Sequence, residues 1–216
     1  RDLGVYENVS NHPKCWIFSS NGGTHGEINV SEALRDSCNY YFYEVGYRLA
    51  TNNYSTAYND SLGIEKLQKY ASLFGLNERT GIEIEEAAPQ IANEFPVMAA
   101  IGQSNNNYTT VQLARYVTTI ANEGNCYDLT LVNEIKNIDG RTVYKSDNVP
   151  KNTVDLTDSQ WAVIKRGMRQ MVSDHTSPSA LISQINVNVA GKTGTAEEDT
   201  TRPDHALFVS FAPYEN

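Results

Sequence analysis

This 216-residue sequence predicts an α+β fold, with an antiparallel sheet flanked by helices. Three observations carry that expectation. Four stretches repeat apolar residues at helical spacing. Two pairs of extended runs lie in the second half of the chain, one pair joined at Asp139-Gly140, a favoured hairpin turn. The helices are largely grouped before the strands, with no internal repeat and no interior linker, so one domain over residues 1–216 is expected.

The elements follow in order. Residues 1–29 are rich in Asn, Ser, Gly and Pro and read as loop, ending in Asn21-Gly22-Gly23-Thr24-His25-Gly26. A helix then begins, because Asn29 can cap free backbone N–H groups, Glu32 sits three residues on, and Ala33, Leu34, Tyr41, Phe42, Val45 and Leu49 share helical spacing. Ser37-Cys38-Asn39 should break it, since Ser and Asn compete for the helix backbone's hydrogen bonds. A second helix fits Ile64 to Phe74, stopped by Gly75. Residues 80–107 lack a sustained period and read as loop with a short extended piece at Ile82 to Ile84. The third helix spans Thr110 to Asn122, with Leu113, Ala114, Val117, Ile120 and Ala121 inward and Gly124 at its end. Leu129 to Ile138 and Arg141 to Lys145 read as strands. A fourth helix opens on the capping box Thr157-Asp158-Ser159-Gln160 and carries Trp161, Ile164, Met168 and Met171. Val187 to Ala196 and Ala206 to Ala212 read as the last two strands.

Composition narrows the function. With 40% hydrophobic and 20% charged residues, the chain is neither fibrous nor disordered. Its 17 basic and 26 acidic residues give −9, which argues against nucleic acid as a partner. No apolar run approaches a bilayer-spanning length, and Arg1-Asp2-Leu3 does not open a signal peptide, so a piece of a longer protein is expected. Three cysteines are too few for a disulfide framework. Asn-x-Ser/Thr matches such as Asn8-Val9-Ser10 follow from the abundance of Asn. Tyr40, Tyr41 and Tyr43 read as packing and rim residues, Met168 and Met171 as core, and His12, His175 and His205 as loop or strand-end residues. No His-Glu-x-x-His or His-x-x-Glu-His spacing exists, which sets aside a metal-dependent hydrolase.

Ala190-Gly191-Lys192-Thr193-Gly194-Thr195-Ala196-Glu197 is the sharpest chemical feature. A lysine, two hydroxyls and two glycines on an expected strand suit an extended, anionic substrate that pairs with the strand edge. Lys192, Thr193 and Thr195 would bind a carboxylate, and backbone N–H groups would face a developing oxyanion. The alternative is an ordinary strand with a bulge; a Lys-Thr-Gly arises by chance in about one chain in twenty of this length. A second candidate is Ser37-Cys38-Asn39. Ser-x-Asn occurs three more times, at Ser19-Ser20-Asn21, Ser104-Asn105-Asn106 and Ser146-Asp147-Asn148, but only Ser37 interrupts an amphipathic helix.

In combination these segments resemble a known family. Asn29-Val30-Ser31-Glu32-Ala33-Leu34-Arg35-Asp36-Ser37-Cys38-Asn39-Tyr40-Tyr41-Phe42 is similar to the second motif of class B penicillin-binding proteins. Ala100-Ile101-Gly102-Gln103, with Thr110-Val111-Gln112-Leu113-Ala114-Arg115 and Ile120-Ala121-Asn122, resembles a further segment of theirs. Lys192-Thr193-Gly194-Thr195-Ala196-Glu197 and His205 to Pro213 resemble the third motif and the strand after it. The motif order and the 155-residue gap between Ser37 and Lys192 also fit. The chain departs from the family in one respect: no serine has lysine three residues later, so the Ser-x-x-Lys nucleophile is absent. A partial transpeptidase domain is therefore expected, incomplete at both ends, with the first motif upstream and a C-terminal strand and helix missing.

The resemblance implies a penicillin-binding-protein/serine β-lactamase fold and acyl transfer from D-Ala-D-Ala stem peptides in cell-wall cross-linking, inhibited by β-lactams, at the extracytoplasmic face of a bacterial membrane. It implies catalytic roles for Ser37 (proton relay), Asn39 (substrate amide) and Lys192 (positive potential). Thr193, Gly194 and Thr195 would bind substrate, with the Thr195 N–H as an oxyanion donor. Stem peptides, β-lactams and other wall-synthesis proteins are the implied partners; the fragment itself is expected to be inactive. Competing readings are a serine β-lactamase or carboxypeptidase, and a β-lactam sensor or non-catalytic wall-assembly module. The chemistry requires no cofactor. A structural zinc on Cys15, His25 and Cys38 suits those residue types, with Asp36 or water completing a tetrahedron. The resemblance adds weight, since some members are thought to hold zinc near this motif. The alternative is Cys38 as a small buried hydrophobe with His25 in a turn.

Overall fold

The structure, a computed structural model, describes residues 13–174, 182, 184–196 and 201–215. The expected loop over residues 1–12, with His12, and the residues His175 and Glu197 lie outside the described residues. The elements run α1 (Trp16–Asn21), α2 (Val30–Arg35), α3 (Asn39–Ala50), α4 (Asp60–Leu73), α5 (Pro96–Ala99), α6 (Thr110–Ala121), β1 (Asn125–Cys126), β2 (Glu134–Lys136), β3 (Thr142–Lys145), β4 (Asn152–Thr153), α7 (Asp158–Ser173), β5 (Ala190–Ala196) and β6 (His205–Phe211). The α+β class holds, and every strand pair is antiparallel: β1 with β4, β2 with β3, and β5 with β6.

Local chemistry explains the starts and stops. Asn29 caps α2 through a reciprocal pair of bonds with Glu32, and Thr109 with Gln112 and Thr157 with Gln160 do the same for α6 and α7. Gly75 ends α4 with φ of +75°, and it must be glycine for a second reason. A Cβ there would lie 2.8 Å from the guanidinium carbon of Arg115. That buried guanidinium donates to the carbonyls of Gly75, Glu78 (3.0 Å) and Arg79 (3.3 Å), tying α6 to the turn after α4.

Several elements differ from the sequence expectation. Residues 16–21 form a helix, not loop, beginning next to the buried Cys15, with the Trp16 indole donating to the Asp36 carbonyl at 3.1 Å. Helix α4 starts four residues before Ile64, because Asn59 accepts from the Leu62 N–H. No strand forms over 82–84. The Glu83 carboxylate accepts from the Leu131 N–H at 2.8 Å, and Leu129 N–H goes to the Thr80 carbonyl, so the first hairpin strand shortens to Glu134–Lys136. Short α5 is an unexpected element, started by Pro96 with its fixed φ. In α6, Ala114 faces solvent while Gln112 and Arg115 are buried, because neighbouring carbonyls satisfy both polar heads. Glu86 is a similar hub. Burial pushes its carboxyl up, but bonds from the Thr80 N–H, the Thr80 hydroxyl and the Thr109 hydroxyl outweigh that and hold it below the usual value.

Helix α7 positions the site. One face lies on α2: the Ser31 hydroxyl donates to the Val163 carbonyl at 2.7 Å, and Gly167 lets the helices approach until a Cβ would sit 2.8 Å from both Leu34 Cβ and the Ser31 carbonyl oxygen. The other face packs on β5. Met168 joins Val117, Ile120 and Ala190 in a core cluster, and Met171 and Val172 join Val189 in another. The expected core roles of Met168 and Met171 are thus met, and Trp161 is buried as well. The segment leading to Ser37 and the strand bearing Lys192 therefore share one support.

Gly167→Ala tests that support. Alanine normally stabilises a helix interior by about 1 kcal/mol over glycine. Overpacking against backbone costs about 1–3 kcal/mol. The expected outcome is a net loss of roughly 1 kcal/mol in chemical unfolding, and a gain in stability would show that α2 yields freely.

Candidate active site

Ser37 sits where the sequence places a helix break. Helix α2 ends at Arg35, Asp36 is its cap, and Ser37 takes φ of +50°. A non-glycine residue in that left-handed region costs on the order of 1 kcal/mol and is held only where surroundings enforce it. Here the Cys38 N–H reaches the Ala33 carbonyl at 3.0 Å, closing the turn, and Asn39 opens α3. The turn aims the Ser37 hydroxyl at β5, and the Lys192 ammonium donates to it at 2.5 Å. The same ammonium donates to the Thr193 carbonyl at 2.8 Å. Burial lowers the pKa of Lys192 below the ordinary lysine value. A lysine shifted in this direction releases its proton more readily, which suits a proton pathway through Ser37.

Strand β5 pairs residue by residue with β6, from Ala190 opposite Phe211 to Ala196 opposite His205. His205 is thus a strand-end residue, as expected. Among the described residues no strand covers the other edge of β5. Thr193, Gly194 and Thr195 lie along that strand, with Gly194 and Thr195 exposed. Sequence reasoning gave Gln103 no role, yet its carboxamide Nε2 donates to the Thr195 carbonyl at 3.3 Å. The rival Ser146-Asp147-Asn148 lies in the loop between β3 and β4.

The third set of expected residues also converges. One donor atom each from Cys15, His25 and Cys38 lies within 4.8 Å of the others. The two sulfurs are 3.9 Å apart, and Cys15 Sγ is 3.7 Å from His25 Nδ1. The hydrogen bond between the two sulfurs holds the Cys15 thiol below its usual range and, together with burial, pushes Cys38 up. Asp36 does not join them, because both its carboxylate oxygens accept from Arg35, at 2.7 and 2.9 Å. A cavity of about 380 Å³ opens beside the cluster, lined in part by Ile28, Tyr41, Glu44 and Arg48.

Residues 8–216 match the penicillin binding protein transpeptidase domain family. The chain belongs to this family. Among relatives of this transpeptidase domain, the peptidoglycan D,D-transpeptidase MrdA of Haemophilus influenzae is 27% identical, covering 89% of this chain and 32% of its own length. Penicillin-binding protein 2B of Streptococcus pneumoniae is 29% identical over 88% of this chain and 31% of the relative. The chain thus spans about a third of the length of these relatives. The solved structure of Pseudomonas aeruginosa PBP2 superposes with a TM-score of 0.76 at 27% identity, covering all of this chain and 48% of that one. The expected penicillin-binding-protein fold is therefore correct. No helix among the described residues is long and apolar enough to cross a membrane.

The desolvation of Lys192 predicts a pH signature. With its folded-state pKa below the unfolded value, the unfolded chain binds more protons in between, so stability rises with pH across that window. The stability of wild type relative to Lys192→Met should therefore increase as pH climbs towards about 10.4, the ordinary lysine value. Chemical unfolding at a series of pH values reads this, and a flat difference would mean that the ammonium is fully solvated.

Proposed function

We propose that the protein is a peptidoglycan D,D-transpeptidase in which this chain supplies the proton-relay and substrate-binding half of the site. The observation that carries the reading is the 2.5 Å bond from Lys192 to Ser37, which joins two motifs 155 residues apart beside a strand edge that no other described strand covers. A serine hydroxyl from a Ser-x-x-Lys segment attacks the carbonyl between two D-alanines. The carbonyl carbon becomes tetrahedral, and its oxyanion accepts from the Thr195 N–H. The C–N bond then breaks, and the proton released by the attacking hydroxyl reaches the leaving D-alanine amine through Ser37, held by Lys192. An amine from a neighbouring stem peptide attacks the ester and regenerates the serine. Asn39, at the head of α3, orients the substrate amide. Lys192 and the hydroxyls of Thr193 and Thr195 draw in the terminal carboxylate, and Gly194 leaves the strand open to close approach. The work is done at the extracytoplasmic face of the bacterial membrane, alongside other wall-synthesis proteins.

Labelled penicillin tests this on the protein as its host makes it. The expected result is a persistent adduct on a serine followed three residues later by lysine, and therefore on none of the serines of residues 1–216. Ser37→Ala should slow acylation by about 10²–10⁴, the usual span for a positioned proton carrier. Rapid release of the label would indicate a β-lactamase instead, and a persistent adduct without peptide turnover would indicate a sensor. An adduct on Ser37 itself would overturn the assignment of roles.

A second reading concerns metal. We infer that Cys15, His25 and Cys38 hold a zinc ion, because two thiolates and an imidazole match its donor preferences. The geometry supports the fit: Cys15 Sγ lies 3.9 Å from Cys38 Sγ and 3.7 Å from His25 Nδ1. Zinc there would play a structural part, cross-linking the loop after α1 to the N-terminus of α3 next to Ser37. With Asp36 committed to Arg35, the fourth ligand falls to water. Elemental analysis of protein purified without chelator should find one zinc per chain, lost in Cys38→Ala. Zinc far below stoichiometry would dispose of the site.

A further inference from the structure

The open edge of β5 is not bare, and what covers it bears on ligand affinity. In an antiparallel ladder the N–H and C=O of one residue point to the same side, and successive residues alternate sides. The carbonyls of Thr193 and Thr195 both accept from groups outside β6, namely the Lys192 ammonium and the Gln103 carboxamide. These two residues therefore face the open edge. In a hydrogen-bonded antiparallel pair, two residues exchange both bonds. A substrate residue whose carbonyl sits at the Thr195 N–H must offer its own N–H to the Thr195 carbonyl. Gln103 already donates to that carbonyl from the side on which the ligand must lie.

The loop that carries Gln103 is fixed while its side chain is lightly held. Gln90 and Asn107 form a two-way backbone bridge, the Ala92 N–H donates to the Asn106 carboxamide oxygen at 2.8 Å, and the Ser104 hydroxyl donates to the Glu94 carbonyl at 2.8 Å. Asn106 further clamps the Gln103 carbonyl at 2.9 Å. Against these, the bond from Gln103 to Thr195 is long, at 3.3 Å. The side chain can leave without moving the loop.

We propose that Gln103 is a removable stand-in for the substrate's backbone amide: its carboxamide holds the Thr195 carbonyl in the free protein and must be displaced when an acylated peptide pairs with β5. This rests on the edge-pairing reading of the site. It makes Gln103 a residue that sets affinity at the open edge, lowering it for every ligand that pairs there. A ligand bearing an N–H at that position replaces the bond it breaks, whereas one without leaves a carbonyl unpaired and is penalised.

The test uses two non-cleavable probes on the protein as its host makes it: an N-acylated D-alanyl-D-alanine phosphinate, and the same compound N-methylated at the amide next to the acyl group. Affinities are measured for wild type and Gln103→Met, which keeps the length and removes the donor. Displacement of Gln103 predicts that Gln103→Met binds both probes about 2- to 10-fold more tightly, the equivalent of one net hydrogen bond. Unchanged or weaker binding would overturn the proposal, weaker binding meaning that Gln103 props the strand. The edge-pairing reading is read separately, from the preference for the N–H probe over its N-methyl partner. If that preference is missing in both proteins, the edge is not the binding surface and the underlying reading fails. Gln103→Ala carries the same comparison if the methionine variant does not fold.

Discussion

Everything at this site depends on how closely α7 can approach α2. At Gly167 the two helices meet with no room for a Cβ, and the Ser31 hydroxyl adds a bond to the α7 backbone. The opposite face of α7 buries Met168, Met171 and Val172 against Val117, Ile120, Val189 and Ala190. One helix therefore fixes the spacing between the turn after α2 and the strand β5. A Lys–Ser contact across 155 residues needs such a shared support, because neither partner's own element reaches the other.

Around that support, polar groups are buried only where they are satisfied. Arg115 is 1% exposed, yet three carbonyls and Asp128 receive its donors. Glu86 gathers donors from Thr80 and Thr109 and so joins the segment before it to the N-terminus of α6. An unpaired charge at either place would cost several kcal/mol. These hubs stiffen the scaffold behind the 101–107 loop, and the strain at Ser37 and the depressed pKa of Lys192 are what such a scaffold can sustain. Cys15, His25 and Cys38 converge beside the same turn.

Much was legible in the sequence because it is encoded locally. Capping boxes at Asn29 and Thr157 depend on residues three apart, and they appear where expected. The break at Ser37 follows from side chains that compete with their own helix. The pairing of Lys192 with Ser37 was legible only through the family resemblance, since spacing alone says nothing about what meets across a fold. Short elements were missed where distant groups settle the outcome. Residues 82–84 fail to form a strand because Glu83 is engaged by Leu131, and α1 forms beside a buried Cys15 and a Trp16 that bonds Asp36.

By itself, then, the sequence determined the α+β class, the main helices, the strand bearing Lys192 and the residue types able to perform the chemistry. Those are properties of neighbours along the chain: periodicity, caps and turn residues. The tertiary structure alone decided which carbonyls face the open edge of β5, that Gln103 fills one of them, that Asp36 belongs to Arg35, and that Ala114 yields its inward place to buried Gln112 and Arg115. Each of those outcomes is a competition among partners far apart in sequence, and it is settled by which donor the packed helices bring within about 3 Å of a given acceptor.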